Sequence, residues 1–527
     1  MTIGKIQPFA LLLIIFSCAP KQQDQLETNQ NFKYEEFTIK QLQDGYASGK
    51  FSVEEVVQSY FDRIAAIDDS GPELNSVIQV NPEAIEIAKQ LDDELKNGRS
   101  RGLMHGVPVL LKDNIDTHDK METTAGSRAL MGSHPLKDSY VAEKLREAGA
   151  VIIGKANLSE WANFRGQMSS SGWSGVGGQT KNPYDLSRNP CGSSSGSGVA
   201  VSANLTMIAI GTETNGSIVC PSNNNGIVGI KPTVGLVSRS GIIPISFTQD
   251  TAGPMARSVA DAAICLNALV GIDSADSKTL APDRKQSNDY TTFLNADGLN
   301  GKRIGLYKAP YGRNFKVDAV MDVAVEYIKS QGAEVVEIPE IGSNEVGQYS
   351  FEIMLFEYKD GLNKYFQSLG PQAPIKSVED LIAFNKNDSI ELERYNQKYL
   401  EMAQEKASLE SEEYKDTLMK MLKGIRQEGI DKVMDENKLD AIMAPTGAPA
   451  WKTDRTNGDS FHISSSSPAA RAGYPNITVP MGEIEGLPVG ISFFGRAWSE
   501  GILIEIAYAY EQGTKHRIVP MFLNSNY

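Results

Sequence analysis

The sequence predicts an α/β fold: a single large domain with a mixed, largely parallel-type central sheet covered by many helices. Three observations carry this. Apolar runs of strand length alternate with segments whose apolar residues recur at helical spacing. Two Gly/Ser/Asn-rich loops interrupt that alternation on either side of one strand. No internal repeat and no clear linker divides residues 33–527.

The elements follow in order. Residues 53–66 and 82–97 carry apolar positions at helical spacing among charges. Gly106-Val-Pro-Val-Leu-Leu111 reads as a buried strand, and a helix over 138–149 leads into a strand at Val151-Ile-Ile153. Residues 165–198 form a long Gly/Ser-rich stretch; a loop of that length between buried strands is usually functional. Met207-Ile-Ala-Ile210 and Ile227-Val-Gly-Ile230 are further strands around a second Gly/Asn/Ser loop. Arg303 to Tyr307, a helix near 316–331 and Ala333 to Ile338 make a strand–helix–strand unit. Residues 350–437 are rich in Glu, Lys, Leu and Met and read as a helical insertion covering the sheet. Asp440 to Ala444 and Val489 to Phe494 return to strand, and an amphipathic helix over 499–513 closes the chain.

Composition bounds the function. With 527 residues and 41% hydrophobic content, the chain can bury a large interior. Its net charge is −15, from 66 acidic and 51 basic side chains. No Lys/Arg block tracks phosphates, which disfavours nucleic-acid partners. The acidic balance is a solubility device.

The N-terminus reads as a targeting segment. Lys5 precedes the apolar run Phe9 to Phe16, then Ser17-Cys18. The run is far too short to span a bilayer, which favours a signal peptide. The pattern resembles a bacterial lipoprotein signal over residues 1–18, ending at Cys18 as the lipidated residue. An ordinary cleaved secretory signal is the alternative. Residues 19–32 are polar and suit a flexible tether. The expectation is an exported bacterial protein on the periplasmic or surface side, touching the membrane only through a lipid anchor. Beyond Cys18 the cysteines are Cys191, Cys220 and Cys265, with no CxxC and no His/Cys cluster. No metal and no cofactor is expected.

Three segments carry chemistry. Lys112 ends an apolar strand. Cys191-Gly-Ser193-Ser194-Ser195-Gly-Ser-Gly198 runs into a small-residue helix. Gly211-Thr-Glu-Thr-Asn-Gly216-Ser217 forms the second loop. Each has a plainer reading alone: a snorkelling surface lysine, a linker, a simple turn. Together they weaken those readings, because two loops that bracket one strand can meet at one end of a sheet, where α/β proteins build sites.

Together the three segments resemble the amidase signature family, over residues 33–527. Gly229-Ile-Lys-Pro-Thr-Val-Gly235, Asp440 to Gly447 and the Gly486 to Arg496 run match as well. The serine-rich runs look most like those of bacterial peptide amidases. The resemblance implies an amidohydrolase with Ser217 as nucleophile, Ser193 as the bridging serine held by a cis peptide bond, and Lys112 as the base. It implies backbone oxyanion donors at Thr214, Asn215, Gly216 and Ser217. Asn215 and Val219 depart from the Gly and Arg common elsewhere in the family. A lysine with an ordinary pKa near 10.4 is neutral only about one part in 2,500 at pH 7, so the base must be desolvated.

Other readings stay open. Gly192-Ser-Ser194-Ser-Gly196 fits G-x-S-x-G literally, with Ser194 as nucleophile, and that order needs a downstream histidine, leaving His462 or His516. A non-catalytic or amidotransferase-subunit homologue is a third reading. The substrate is a peptide C-terminal amide or another small aliphatic or aryl amide. Asn163, Gln167 and Trp173 are the candidate substrate-binding residues. Trp161, Phe164 and Tyr184, with Trp173, either line an acyl pocket or sit in the core. Cys191 and Cys220 are expected as two buried free thiols, since a bridge needs Cα atoms within about 7 Å.

Overall fold

The computed structural model describes residues 1–2 and 32–524. The expected signal segment with Cys18, and the tether up to residue 31, lie outside them. Eleven strands form one sheet: β1 (Val77–Val80), β2 (Pro108–Lys112), β3 (Val151–Ala156), β4 (Ile208–Glu213), β5 (Val228–Lys231), β6 (Thr251–Ala256), β7 (Arg303–Tyr307), β8 (Glu334–Ile338), β9 (Ala441–Pro445), β10 (Asn476–Ile484) and β11 (Leu487–Phe494). Their spatial order is β1-β3-β2-β4-β6-β5-β10-β11-β9-β7-β8. The sheet is mixed. β2 is parallel to β3 and β4, and β7 is parallel to β8 and β9; the other neighbours pair antiparallel.

β2, β3 and β4 are buried along their whole length, which is why they read as continuous apolar runs rather than alternating ones. β1, β6 and β10 carry no comparable sequence signal. β6 is Thr-Ala-Gly-Pro-Met-Ala, poor in β-branched residues, and it pairs through backbone with β4 along Ile208–Glu213. The helix Ser195–Ser202 is buried at every residue. Its small side chains permit close approach: a Cβ at Gly196 would come within 2.2 Å of Ser76 O and 2.6 Å of Asn157 N.

Beyond β8 the chain forms the helices Val346–Ser368, Val378–Asn387, Lys398–Gln404, Glu412–Leu422 and Asp431–Asn437. The first three build a second core with the segment just before the first Gly/Ser-rich loop, in which Trp161 and Phe164 pack with Leu355, Tyr358 and Phe366. A buried ion cluster fastens the same contact. Arg165 Nη1 donates to Glu160 Oε1 at 2.7 Å and to Glu391 Oε2 at 2.8 Å. Its guanidinium lies 4.0 Å from the Tyr395 ring.

Candidate active site

Lys112 is the last residue of β2 and is fully buried. Register explains what it meets. β2 pairs with β4 through Leu111↔Ile210, so the lysine emerges beside the start of the second loop. Its Nζ donates to Ser193 Oγ at 2.7 Å, to Thr212 Oγ1 at 2.8 Å and to Thr212 O at 3.2 Å. Thr212 Oγ1 also accepts from Asn114 Nδ2 at 3.0 Å. Burial pushes the lysine pKa down to about 7, against a smaller upward pull from Asp250 and Glu213.

Ser193 follows a cis Gly192–Ser193 peptide bond and is fully buried. A Cβ at Gly192 would sit 2.2 Å from Ser159 Oγ, so a side chain there would displace Ser159. Ser159 N donates to Ser193 O at 3.0 Å. Ser194 is equally buried, and its Oγ donates to Thr212 O at 3.1 Å. That placement removes Ser194 as a nucleophile: it is a rivet between the loop and β4. The histidines are elsewhere. His462 is exposed and its ring meets Ser460 O, while His516 packs beside Tyr510.

Ser217 is half-buried, and Ser194 N donates to its carbonyl at 3.2 Å, which sets the two serine loops side by side. Gly216 has φ +85°. Among the described residues, the backbone N–H groups of Asn215, Gly216 and Ser217 donate to no other group. The next two N–H groups, of Ile218 and Val219, are taken by Glu213 Oε2 at 2.8 and 3.1 Å. Asp250 braces the loop from the other side, accepting from Thr214 Oγ1 at 2.6 Å. Asn215 Oδ1 accepts from Ser466 Oγ at 2.7 Å, tying the loop to the segment before β10.

The cysteine expectation is corrected. Cys191 and Cys220 form a disulfide with Cα atoms 6.0 Å apart. The serine loops converge closely enough to bring the flanking thiols together. Cys265 is the buried free cysteine.

Thr214, Asn215, Gly216, Ser217 and Gly192 face a cavity of about 460 Å³. Asn163 and Phe164 line it. Two expected substrate contacts are corrected. Gln167 is exposed and does not line the cavity, because its backbone N–H is drawn to Asn396 Oδ1. Trp173 does not line it either, being packed against Tyr395 and the Arg165 guanidinium. Trp161 sits in the second core, edge-on to Phe366, and Tyr184 donates to Ile518 O at 2.6 Å. Sequence reasoning missed Thr212, Glu213, Asp250 and, in the cavity wall, Trp451 and Asp459. Thr212 and Glu213 end β4 and lie next to the second loop in sequence; Asp250, Trp451 and Asp459 come from segments that only the fold brings near.

The amidase family matches residues 55–504. A probable amidase of Arabidopsis thaliana is 41% identical over 95% of this chain and 94% of its own length. A putative amidase of Schizosaccharomyces pombe is 36% identical over 94% of this chain and 88% of its own. A glutamyl-tRNA(Gln) amidotransferase subunit from Thermoanaerobacter pseudethanolicus is 33% identical over 92% of this chain and 97% of its own. The crystal structure of native peptide amidase from Stenotrophomonas maltophilia superimposes with a TM-score of 0.90 at 49% identity, covering 93% of this chain and 99% of that one.

These relatives also correct the expected location. The N-terminal pattern points to an exported bacterial lipoprotein, but the aligned plant and yeast amidases are eukaryotic. By its sequence, fold and site loops, the chain belongs to the amidase family.

Proposed function

We propose that this protein hydrolyses a carboxamide C–N bond through an acyl-enzyme on Ser217, with Ser193 and Lys112 as the proton relay and peptide C-terminal amides as substrate. The observation that carries the reading is the contact of fully buried Lys112 Nζ with Ser193 Oγ at 2.7 Å. Desolvation leaves about half of the lysine neutral near pH 7. In that form the same contact runs from the Ser193 hydroxyl to Nζ.

The steps balance. Ser193 passes its proton to Lys112 and receives that of Ser217, whose oxygen bonds to the amide carbon. The oxyanion is met by the backbone N–H groups of Asn215 to Ser217, each such donor being worth roughly 2.7–4 kcal/mol in related chemistry. The C–N bond breaks as the relayed proton reaches the nitrogen, and ammonia leaves. Water then attacks the ester, and the relay runs again to free the acid and Ser217. The likeness to the Stenotrophomonas maltophilia peptide amidase supports the choice of peptide amides.

Ammonia release from a peptide C-terminal amide, a fatty amide and an aryl amide tests this, alongside the Ser217→Ala variant. The expected result is turnover of the peptide amide by the wild type, abolished in the variant. Equal turnover by both proteins removes Ser217 from the chemistry. Preference for a fatty or aryl amide removes the substrate assignment alone.

A further inference from the structure

The cavity at Ser217 is chemically uneven. Phe164, Ile245, Met354 and Tyr399 give it an apolar wall, and Asp459 is the one Asp or Glu among its lining residues. No Lys, Arg or His of the described residues lines it. Asp459 is half-buried and firmly held. Its Oδ2 accepts from Ser171 N at 3.1 Å and from Ser171 Oγ at 2.6 Å. Its Oδ1 accepts from Ser171 N at 3.2 Å, Asn189 Nδ2 at 3.3 Å and Trp451 Nε1 at 3.2 Å.

Those partners tie Asp459 to the reacting loops. A Cβ placed on Gly192 would lie 3.2 Å from Ser171 Cβ. Asn189 Oδ1 accepts from Cys191 N at 2.8 Å, and Trp451 packs with Cys191 and Cys220. These four donors fix the orientation of the carboxylate, and Asp459 keeps an accessible face on the cavity. Asn163 lines the same cavity. A cavity whose one charged side chain is a carboxylate favours a ligand that brings N–H groups, and it repels one that brings a carboxylate.

We propose that Asp459 is a specificity-determining residue that accepts a hydrogen bond from an α-nitrogen N–H on the acyl part of the amide. The site then selects α-aminoacyl or peptidyl amides over amides whose acyl chain carries no nitrogen. This rests on the reading of Ser217 as nucleophile. The apolar wall receives the side chain of the same residue, so the two halves of the cavity read one C-terminal amino acid.

Three amides with one side chain test it: N-acetylphenylalaninamide offers a neutral α-N–H, phenylalaninamide an α-ammonium, and 3-phenylpropanamide neither. The wild type is expected to favour one nitrogen-bearing amide over 3-phenylpropanamide by at least roughly tenfold in kcat/KM. The better of the two identifies the donor as a peptide N–H or a free ammonium. Asp459→Asn is expected to collapse that ratio, mainly through KM. An equal loss on all three amides would mean that Asp459 only positions Ser171 and Trp451, and overturns the inference. A wild type that treats the three alike overturns it without any variant. If none of the three is hydrolysed and a fluorophosphonate leaves Ser217 unlabelled, the nucleophile assignment itself fails, and this inference with it.

Discussion

Cys191 and Cys220 are joined by a disulfide that ties the segment of Ser193 to the segment of Ser217. The bridge lies two residues before one serine and three after the other. It spans 29 residues of sequence, and in the chain-entropy view a closed loop of that size is worth about 3.6 kcal/mol. A Cys191→Ala/Cys220→Ala variant should lose stability of that order in urea unfolding. Treatment of the wild type with a phosphine reductant should lower kcat, with recovery on reoxidation.

With Lys112 as the proposed base, the pH–rate profile should follow its titration. Its pKa of about 7 makes kcat/KM rise with pH through that value and level off above it. Lys112→Met should lower kcat by roughly 10²–10⁴-fold, read in initial rates of ammonia release.

The same burial carries a stability cost that also depends on pH. The folded lysine binds fewer protons than the unfolded one between pH 7 and its ordinary 10.5, so its unfavourable contribution is full below pH 7 and fades as pH rises toward 10.5. Lys112→Met is therefore expected to be more resistant to unfolding than the wild type at pH 6, with the gap closing by pH 10. A thermal-shift series across that range measures it.

Thr212 Oγ1 holds both Lys112 Nζ and Asn114 Nδ2. Thr212→Val removes an acceptor that favours the charged lysine, so the midpoint of the pH–rate profile should move below 7. Loss of the anchor should also cost roughly tenfold in kcat.

Arg165 is buried between Glu160 and Glu391. Arg165→Met would strand two carboxyl groups and is expected to cost about 3–5 kcal/mol. The helices from Val346 onward should loosen first, visible as faster amide hydrogen exchange over Lys398–Gln404.

The local elements were legible because their periodicity is strong. The strands β2, β3, β4, β7 and β9 and the helices Val53–Ile67 and Phe315–Ser330 lie within a few residues of where apolar spacing put them. β6 was not legible, because Thr-Ala-Gly-Pro-Met-Ala gives no strand signal until a partner strand supplies the hydrogen bonds, and in β10 the run Ile477-Thr-Val479 is cut short by Pro480 and Gly482. Gln167 and Trp173 illustrate the limit for the site. Both are near Ser193 in sequence, yet Asn396 and Tyr395 draw them away from the cavity.

By itself the sequence determined the family and the residue types of the two loops and of the strand-end lysine, since each depends on residue type and local spacing. The tertiary structure alone decided that Lys112 reaches Ser193 and Thr212, that Asp250 braces the second loop, that Cys191 meets Cys220, and that Asp459 enters the cavity wall. These are contacts between segments far apart in the chain, and only the register of the sheet and the packing of its loops fix such distances.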